Sequence, residues 1–488
     1  MTEEEKKGVD RRRFLKYVGA GAVVVVGGAA AAYLASQPPQ PSVPSTTAAP
    51  TSMTTAAATS SAAPTYSTEV DLLLPPWAPF PDNLVAEASQ ASNANIVQNV
   101  IEYSAIKSRI VSALVTQVPP AAITEVDSLW VNAYKDFWVP IGTPKNPQPK
   151  YNLTDADMED MSYLFDAQPW YNIDGKLVAI PYSCDFSMMT GNRPMLEKAG
   201  YDKWPTTWDE MRNVCEDMIA KGATDSPFLM ECDATTGFPW GFWPFPLSYG
   251  GAWFDDQLNP LWDSPDSGQV KALHWLHDAM WKWGIIPKSM LSSGQSSTPD
   301  QFDAGKGGIV TITIGHAPSL DANPSTYPAT SGKVDEFLIP SGTPDLEFGP
   351  SVFGTEGLGI CKYSPPDVQD AAWQFIYNWR TTTDTEVRMA KLVALSPPRM
   401  SAWNTEASTG FLSKKYADPI FAALKANKGW GTPKGAPLWY PELWDDIAFY
   451  MNQVMSSQNG MTPEDCWHKL ALKIPEYRKK YGGDYPPG

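Results

Sequence analysis

The densest concentration of side chains able to grip a ligand is the run Phe238-Pro239-Trp240-Gly241-Phe242-Trp243-Pro244-Phe245-Pro246. Proline and glycine interrupt regular helix here, so several rings are expected on a loop. Flat rings with a polar edge can stack on a ligand and still offer hydrogen bonds at its rim. Trp240 and Trp243 are therefore candidate contacts, against the competing account of ordinary packing at the edge of a core. Other clusters offer less. His274 and His277 stand three residues apart in a Trp-rich amphipathic stretch, a spacing that can bind metal, but no third ligand lies nearby. Asp155, Asp157 and Glu159 alternate like the first ligands of a calcium loop. However, Asp160 occupies the place of the sharp-turn glycine and Asp166 that of the bidentate glutamate. Thr154 before this acidic run reads instead as the cap of a helix start. The five cysteines (Cys184, Cys215, Cys232, Cys361, Cys466) show no CxxC pair and are expected to be buried small hydrophobes, with one disulfide among the first three left open. No nucleophile elbow, zinc signature or phosphate loop is present, so neither a catalytic residue nor a metal or cofactor is expected.

Several elements must position these residues. The chain has 488 residues, 43% of them hydrophobic and 19% charged, enough for two or three folding units. A net charge of −17 disfavours nucleic acid as a partner. Asp10-Arg11-Arg12-Arg13-Phe14-Leu15-Lys16 precedes an apolar run from Tyr17 to Ala35 and resembles a twin-arginine export signal, with Asp10 as its departure from the usual Ser/Thr. Residues 1–36 are thus read as a signal or membrane anchor. Residues 37–66, almost all Pro, Ser, Thr and Ala without a charge, are read as a disordered stalk. A stalk favours a retained anchor over a cleaved signal. The globular part begins near Ser67. Val70–Leu74, Ile96–Tyr103 and Ala122–Val126 read as strands, with Ile106–Val115 as a helix between the last two. Strand–helix alternation of this kind implies an α/β fold with a mainly parallel sheet. Thr207-x-x-Glu210 is a capping box opening a helix, and Thr462-Pro463 starts another.

A series of landmarks then falls in a recognisable order. Val126-Asp127-Ser128-Leu129-Trp130, Asp174-Gly175-Lys176 through Ile180-Pro181-Tyr182, Asn192 through Lys198-Ala199-Gly200, and Pro205-Thr206-Thr207-Trp208-Asp209-Glu210 are the first four. Ser248-Tyr249-Gly250-Gly251, Phe302-x-x-Gly305-Lys306, and Gly357-Leu358-Gly359-Ile360 through Ala371-Ala372-Trp373 follow. Together they resemble the family 1 extracellular solute-binding proteins of ABC transporters, the group that includes maltose-binding protein. Two departures stand at positions that face ligand in that family: Gly191 replaces a tyrosine, and Gly315-His316-Ala317 replaces Gly-Pro-Trp.

The resemblance implies a two-lobed, type II periplasmic-binding-protein fold. Lobe 1 would comprise about residues 67–181 and 333–378, and lobe 2 about 182–332 and 379–488, with crossings near Tyr182, Lys333 and Asn378. It implies a monomeric extracytoplasmic protein that captures a solute, expected to be a neutral sugar or oligosaccharide, by hinge closure and hands it to an ABC permease. A carbohydrate needs rings for its C–H faces and polar groups for its hydroxyls. Trp77 follows the first strand, where open α/β sheets place ligand loops. By the resemblance, Asp127 after the third strand and Asp185 after the first crossing accept sugar hydroxyls. His316 and Glu356 occupy strand-end turns facing the same cleft. Trp208 and Trp373 are assigned to the core. The alternatives are an exported carbohydrate-active enzyme, which would need two carboxylates at a set separation, or a binding protein for a solute other than a sugar.

Overall fold

Near-continuous apolar runs make strands that can be covered on both faces, and the first of these organises one half of the molecule. The computed structural model describes residues 65–162, 164, 172–173, 176–313, 315–393, 395–404, 429–430 and 437–484. The expected export signal, the stalk up to residue 64, and Asp166 lie outside the described residues. β1 (Glu69–Leu74) pairs in parallel with β2 (Asn95–Val100) on one side and β3 (Ile123–Asp127) on the other. The links between them are helical: α1 (Val85–Ser92) and α2 (Tyr103–Thr116). Ile106, Ile110 and Ala113 of α2 are buried at steps of four and three residues, which is one helix face against the sheet. Gln117, with φ of 59°, ends that helix in the left-handed region. The second strand stops at Val100, short of the Tyr103 expected from its apolar run. Tyr103 instead opens α2, because its ring is caught between Trp77 (centroids 5.5 Å) and Trp130 (4.9 Å).

After a two-residue hairpin pair, β4 (Asn172–Ile173) and β5 (Lys176–Leu177), comes β6 (Ile180–Asn192), the strand on which the architecture turns. Its residues 180–186 pair antiparallel with β10 (Val352–Ile360), which in turn lies antiparallel to β3. From Ser187 onward β6 pairs with β8 (Ile309–Thr313) and β9 (Val334–Phe337), and β7 (Phe228–Leu229) adds to β8 in parallel. A short β11 (Gly429–Trp430) lies beside the start of β10. Two sheets thus share one thirteen-residue strand.

The buried side chains divide accordingly. One core gathers Val70, Leu72, Ile106, Ile123, Ile180 and Phe375, and the other Met188, Trp208, Phe242, Leu273, Ile309 and Trp467. The division differs from the expected boundaries. Val334, Phe337, Ile339 and Val352 pack in the second core, so the chain returns to the first within β10 and not at Lys333. Trp379, Met389 and Leu395 still belong to the first core and Trp403 to the second, which moves the last passage from Asn378 to beyond Leu395. Strand pairing accounts for the first shift: β9 is held to β6 in the second sheet.

Helices of the second half begin where their caps dictate. α3 (Trp208–Ala220) opens with the reciprocal Thr207–Glu210 capping box. The aromatic run forms two short helices, α4 (Gly237–Phe242) and α5 (Pro244–Ser248), where a loop was expected. Its prolines fall in first turns, where a missing N–H costs no intrahelical bond. α6 (His316–Ala322) follows β8, and α7 (Tyr440–Met455) and α8 (Pro463–Tyr481) close the chain, the last capped by Thr462. Trp208 and Trp373 are buried, and all five cysteines are buried and free. Among the described residues no helix is long and apolar enough to cross a membrane.

Candidate functional site

A cleft of about 410 Å³ opens where the two sheets meet, with walls from both. Trp77, Asp127, Trp240, His316 and Glu356 line it. The other two sequence candidates do not join them in view. Asp185 lies on β6 opposite Gly354 of β10, and its side chain is outside the described residues. Trp243 is buried in the second core, stacked on Trp253 at 3.5 Å and 6°, with Trp444 at 4.8 Å. The α4–α5 geometry explains the separation. The backbone turns through three residues between Trp240 and Trp243, sending one ring to the cleft and the other inward.

The wall of the first lobe is a wired cluster of acids. β3 and β10 place Asp127 and Glu356 side by side in register, and β6 brings Ser183 to the other flank of Glu356. The Trp77 indole N–H points at both Glu356 oxygens (3.0 and 2.9 Å). The Tyr182 hydroxyl lies 2.8 Å from Glu125 Oε2 and 3.0 Å from Glu356 Oε2. Asp127 accepts from the Leu129 backbone N–H (2.6 Å), the Ser128 hydroxyl (3.3 Å) and the Tyr103 phenol. Burial raises the Asp127 pKa, and these donors oppose the rise. Behind the cluster, the Arg380 guanidinium sits over the Tyr182 ring at 4.9 Å. Burial lowers its pKa to about 10, so it stays charged at neutral pH and offsets part of the negative charge. Glu125, Asp127 and Glu356 bring ligand atoms within 4.8 Å of one another, close enough to share a cation. Their oxygens already accept from indole, phenol and backbone donors.

The second-lobe wall is built differently. The Trp240 ring lies flat on the backbone of β10: a Cβ placed on Gly354 would stand 2.4 Å from its Cη2. Glu231 follows the two-residue β7, and one of its oxygens occupies the space left by the missing side chain of Gly237, 1.7 Å from where a Cβ would be. That oxygen, Oε2, finds no hydrogen-bond donor among the described residues. Burial, with the Asp233 carboxylate nearby, pushes the Glu231 pKa up to about 8. His316 opens α6, with Nε2 2.9 Å from Asp303 Oδ1 but without hydrogen-bond alignment. Gly315, at φ of 88°, makes the turn into α6, and Glu336 of β9 accepts from the backbone N–H groups of Gly315 (2.9 Å) and Ala317 (3.4 Å). Burial pushes the Glu336 pKa up to about 8 despite those two donors.

Sequence reasoning missed Tyr103, Glu231, Asp303, Tyr327 and Trp444, all on the cleft. Trp444 had a usable signal, since Tyr440, Trp444 and Ile447 recur at steps of four and three along one buried face of α7. Glu231 had none, because two residues of strand leave no alternation to follow. The other suspected ligand sets have structural partners. Thr154 and Asp157 form a capping box, while Asp157 and Asp160 meet Arg399 at 2.8 and 3.4 Å. His274 pairs with Glu464 at 2.7 Å and His277 meets the Ser457 carbonyl at 3.3 Å, so the two rings serve different neighbours.

Two α/β lobes around a shared strand, with a cleft walled by both, define the type II binding-protein class. Solved structures agree. Maltose-bound MalE3 of Thermotoga maritima superposes with a TM-score of 0.68 at 18% identity, over 84% of this chain and 99% of that one. The GacH receptor of Streptomyces glaucescens, solved unliganded and with acarbose and an acarbose homolog, gives 0.66 at 16%, over 86% and 100%. An ABC transporter solute-binding protein of Agrobacterium vitis with bound D-mannitol gives 0.65 at 17%, over 86% and 100%. The sequence itself matches the family described as bacterial extracellular solute-binding protein over residues 80–385, and the chain belongs to that family.

Proposed function

We propose that this chain is the substrate-binding component of an ABC importer, which encloses a sugar or oligosaccharide in its cleft and delivers it unchanged to a membrane permease. The observation that carries the reading is a cleft whose two walls come from different cores joined through β6 and β10. A ligand touching both walls binds the closed form better than the open one, and only such a difference can shift the equilibrium between them. Trp77 and Trp240 offer ring faces to a pyranose, while Asp127, Asp185, His316 and Glu356 serve its hydroxyls. Trp243 supports the second wall from behind. Maltose, acarbose and D-mannitol in the structural relatives favour a polyhydroxylated solute. No bond is made or broken, so the protein is no enzyme. Export follows the twin-arginine route through Arg11 and Arg12, with the apolar run retained as an anchor, the stalk as a spacer, and the protein working as a monomer.

The test is a panel of sugars and polyols read by calorimetry and solution scattering. A bound member should reduce the radius of gyration and be recovered intact. Tight binding without compaction would sink the clamp, and recovery of cleaved product would replace binder by enzyme.

A further inference from the structure

The charges around the cleft do not suit a neutral solute. Five carboxylates line it, those of Asp127, Glu231, Asp300, Asp303 and Glu356, against a single histidine and, among the described residues, no lysine or arginine. Lys107 pairs with Asp445 at 2.8 Å, and Arg380 is buried behind Tyr182. On the first-lobe wall Asp127 and Glu356 are held by indole, phenol and backbone donors, with the Arg380 guanidinium behind them. Glu231, which lines the second-lobe wall, has less support: its Oε2 is buried and meets no donor among the described residues. Closing such a cleft on a neutral molecule would strip water from this carboxyl group and return only an ordinary hydrogen bond. A positively charged group would meet it with a charge-assisted bond, roughly twice as strong as a neutral one. Ring faces at Trp77, Trp240 and Tyr327 add negative potential to the same space, which attracts cations as well as C–H groups.

We infer that the cleft takes a solute bearing a positive charge, an amine-substituted sugar or pseudo-sugar, with the Glu231 carboxylate as its counter-charge. The inference rests on the solute-capture reading above and narrows its ligand class. Glu231 serves here as the residue that discriminates amine from hydroxyl at one position of the ligand. Its raised pKa, about 8 in the empty cleft, fits a group that ionises when the cationic partner arrives. The overall charge of −17 steers the same class of solute towards the protein.

The experiment uses matched pairs differing only in a hydroxyl or an amine: glucose and glucosamine, galactose and galactosamine, mannose and mannosamine, cellobiose and its diamino analogue. The whole chain is titrated with each at low and high salt. In at least one pair the amine should bind about tenfold or more tightly than its neutral twin, with a preference that shrinks as salt screens the charge. Glu231→Gln should abolish that preference, the affinity for the amine falling to that of its neutral twin or below. If neutral members bind as well as or better than their amines, the inference fails and the binding-protein reading stands. A preference for the amine that survives both Glu231→Gln and high salt also overturns it, because the discrimination then lies elsewhere. If no member of any pair binds, both the charged-ligand inference and the sugar reading fall. The wild-type comparison and its salt dependence decide the matter even should the variant fold poorly.

Discussion

The two walls of the cleft solve the problem of buried acid in opposite ways. On the first lobe, Glu125, Asp127 and Glu356 are knitted together by Tyr103, Tyr182, Trp77 and backbone N–H groups, with Arg380 behind them. Such a network holds its acids in place before any ligand arrives and gives a fixed surface. On the second lobe, Glu231 Oε2 meets no donor among the described residues and Trp240 rests on a glycine, so that wall is the less fixed of the two. Under the proposed capture of a charged solute, the first lobe supplies shape and the second discrimination.

The largest effect expected on either wall comes from behind the second. Trp243→Ala removes a fully buried ring stacked on Trp253, and should cost about 3–5 kcal/mol of stability by loss of contacts and creation of a cavity. Denaturant titration checks this. The ligand affinity of the folded fraction should change far less than its stability, and the reverse pattern would put Trp243 in the site.

Trp240→Ala should do the opposite. Its ring is only half-buried, so stability should change little. Loss of a stacking anchor is expected to cost roughly 2–4 kcal/mol of binding, or about 30- to 800-fold in Kd. Calorimetry with the solute found in the panel checks it. Wild-type affinity would remove the second wall's claim to recognition. Gly354→Ala probes the same ring from beneath and should weaken binding less, because the added Cβ displaces the indole without deleting it. Over-packing of this kind costs about 1–3 kcal/mol. A variant indistinguishable from wild type in stability and affinity would mean that the ring moves freely.

The asymmetry between the walls also explains how much was legible in the sequence. Periodic apolar runs made β1, β3, α2 and the capped helices readable, because each side-chain pattern reports one buried face. Trp77, Asp127 and His316, which line the cleft, sit at the ends of such elements, where open sheets present their ligand loops, whereas Glu356, expected in a strand-end turn, reaches the cleft from the middle of β10. Strand pairing was not legible. The attachment of β9 to β6 depends on a partner more than 140 residues away, and it moves residues 334–352 from the expected lobe to the other. Within the aromatic run, composition marked the segment but not which tryptophan faced out, since the prolines turned out to start helices and not to break them. Glu231 was invisible because its position depends on Gly237 making room for its carboxyl group, a contact between the end of β7 and the start of α4 that neither residue announces.

The smallest effect tests the hidden support of the second wall. Glu336 carries the turn that presents His316, accepting from Gly315 and Ala317, and its pKa is pushed up to about 8 by burial. An acid whose pKa is raised on folding binds more protons in the native state than in the unfolded chain between its two values. Stability from this group is therefore full below the ordinary glutamate range and declines as pH rises through about 8, where the buried carboxylate must ionise. Glu336→Gln keeps an oxygen to accept from the same two N–H groups and cannot ionise. Near pH 5 the variant and wild type should melt at similar temperatures. As pH rises to about 8 the variant should gain steadily on the wild type and then hold its lead, since only the wild type must retain a proton that its unfolded chain releases or bear a buried charge. A melting-temperature difference that stays constant over this range would show that Glu336 is already ionised in the folded protein near pH 5. The turn into α6 would then be held by a permanently ionised carboxylate, and the second wall would be wired as tightly as the first.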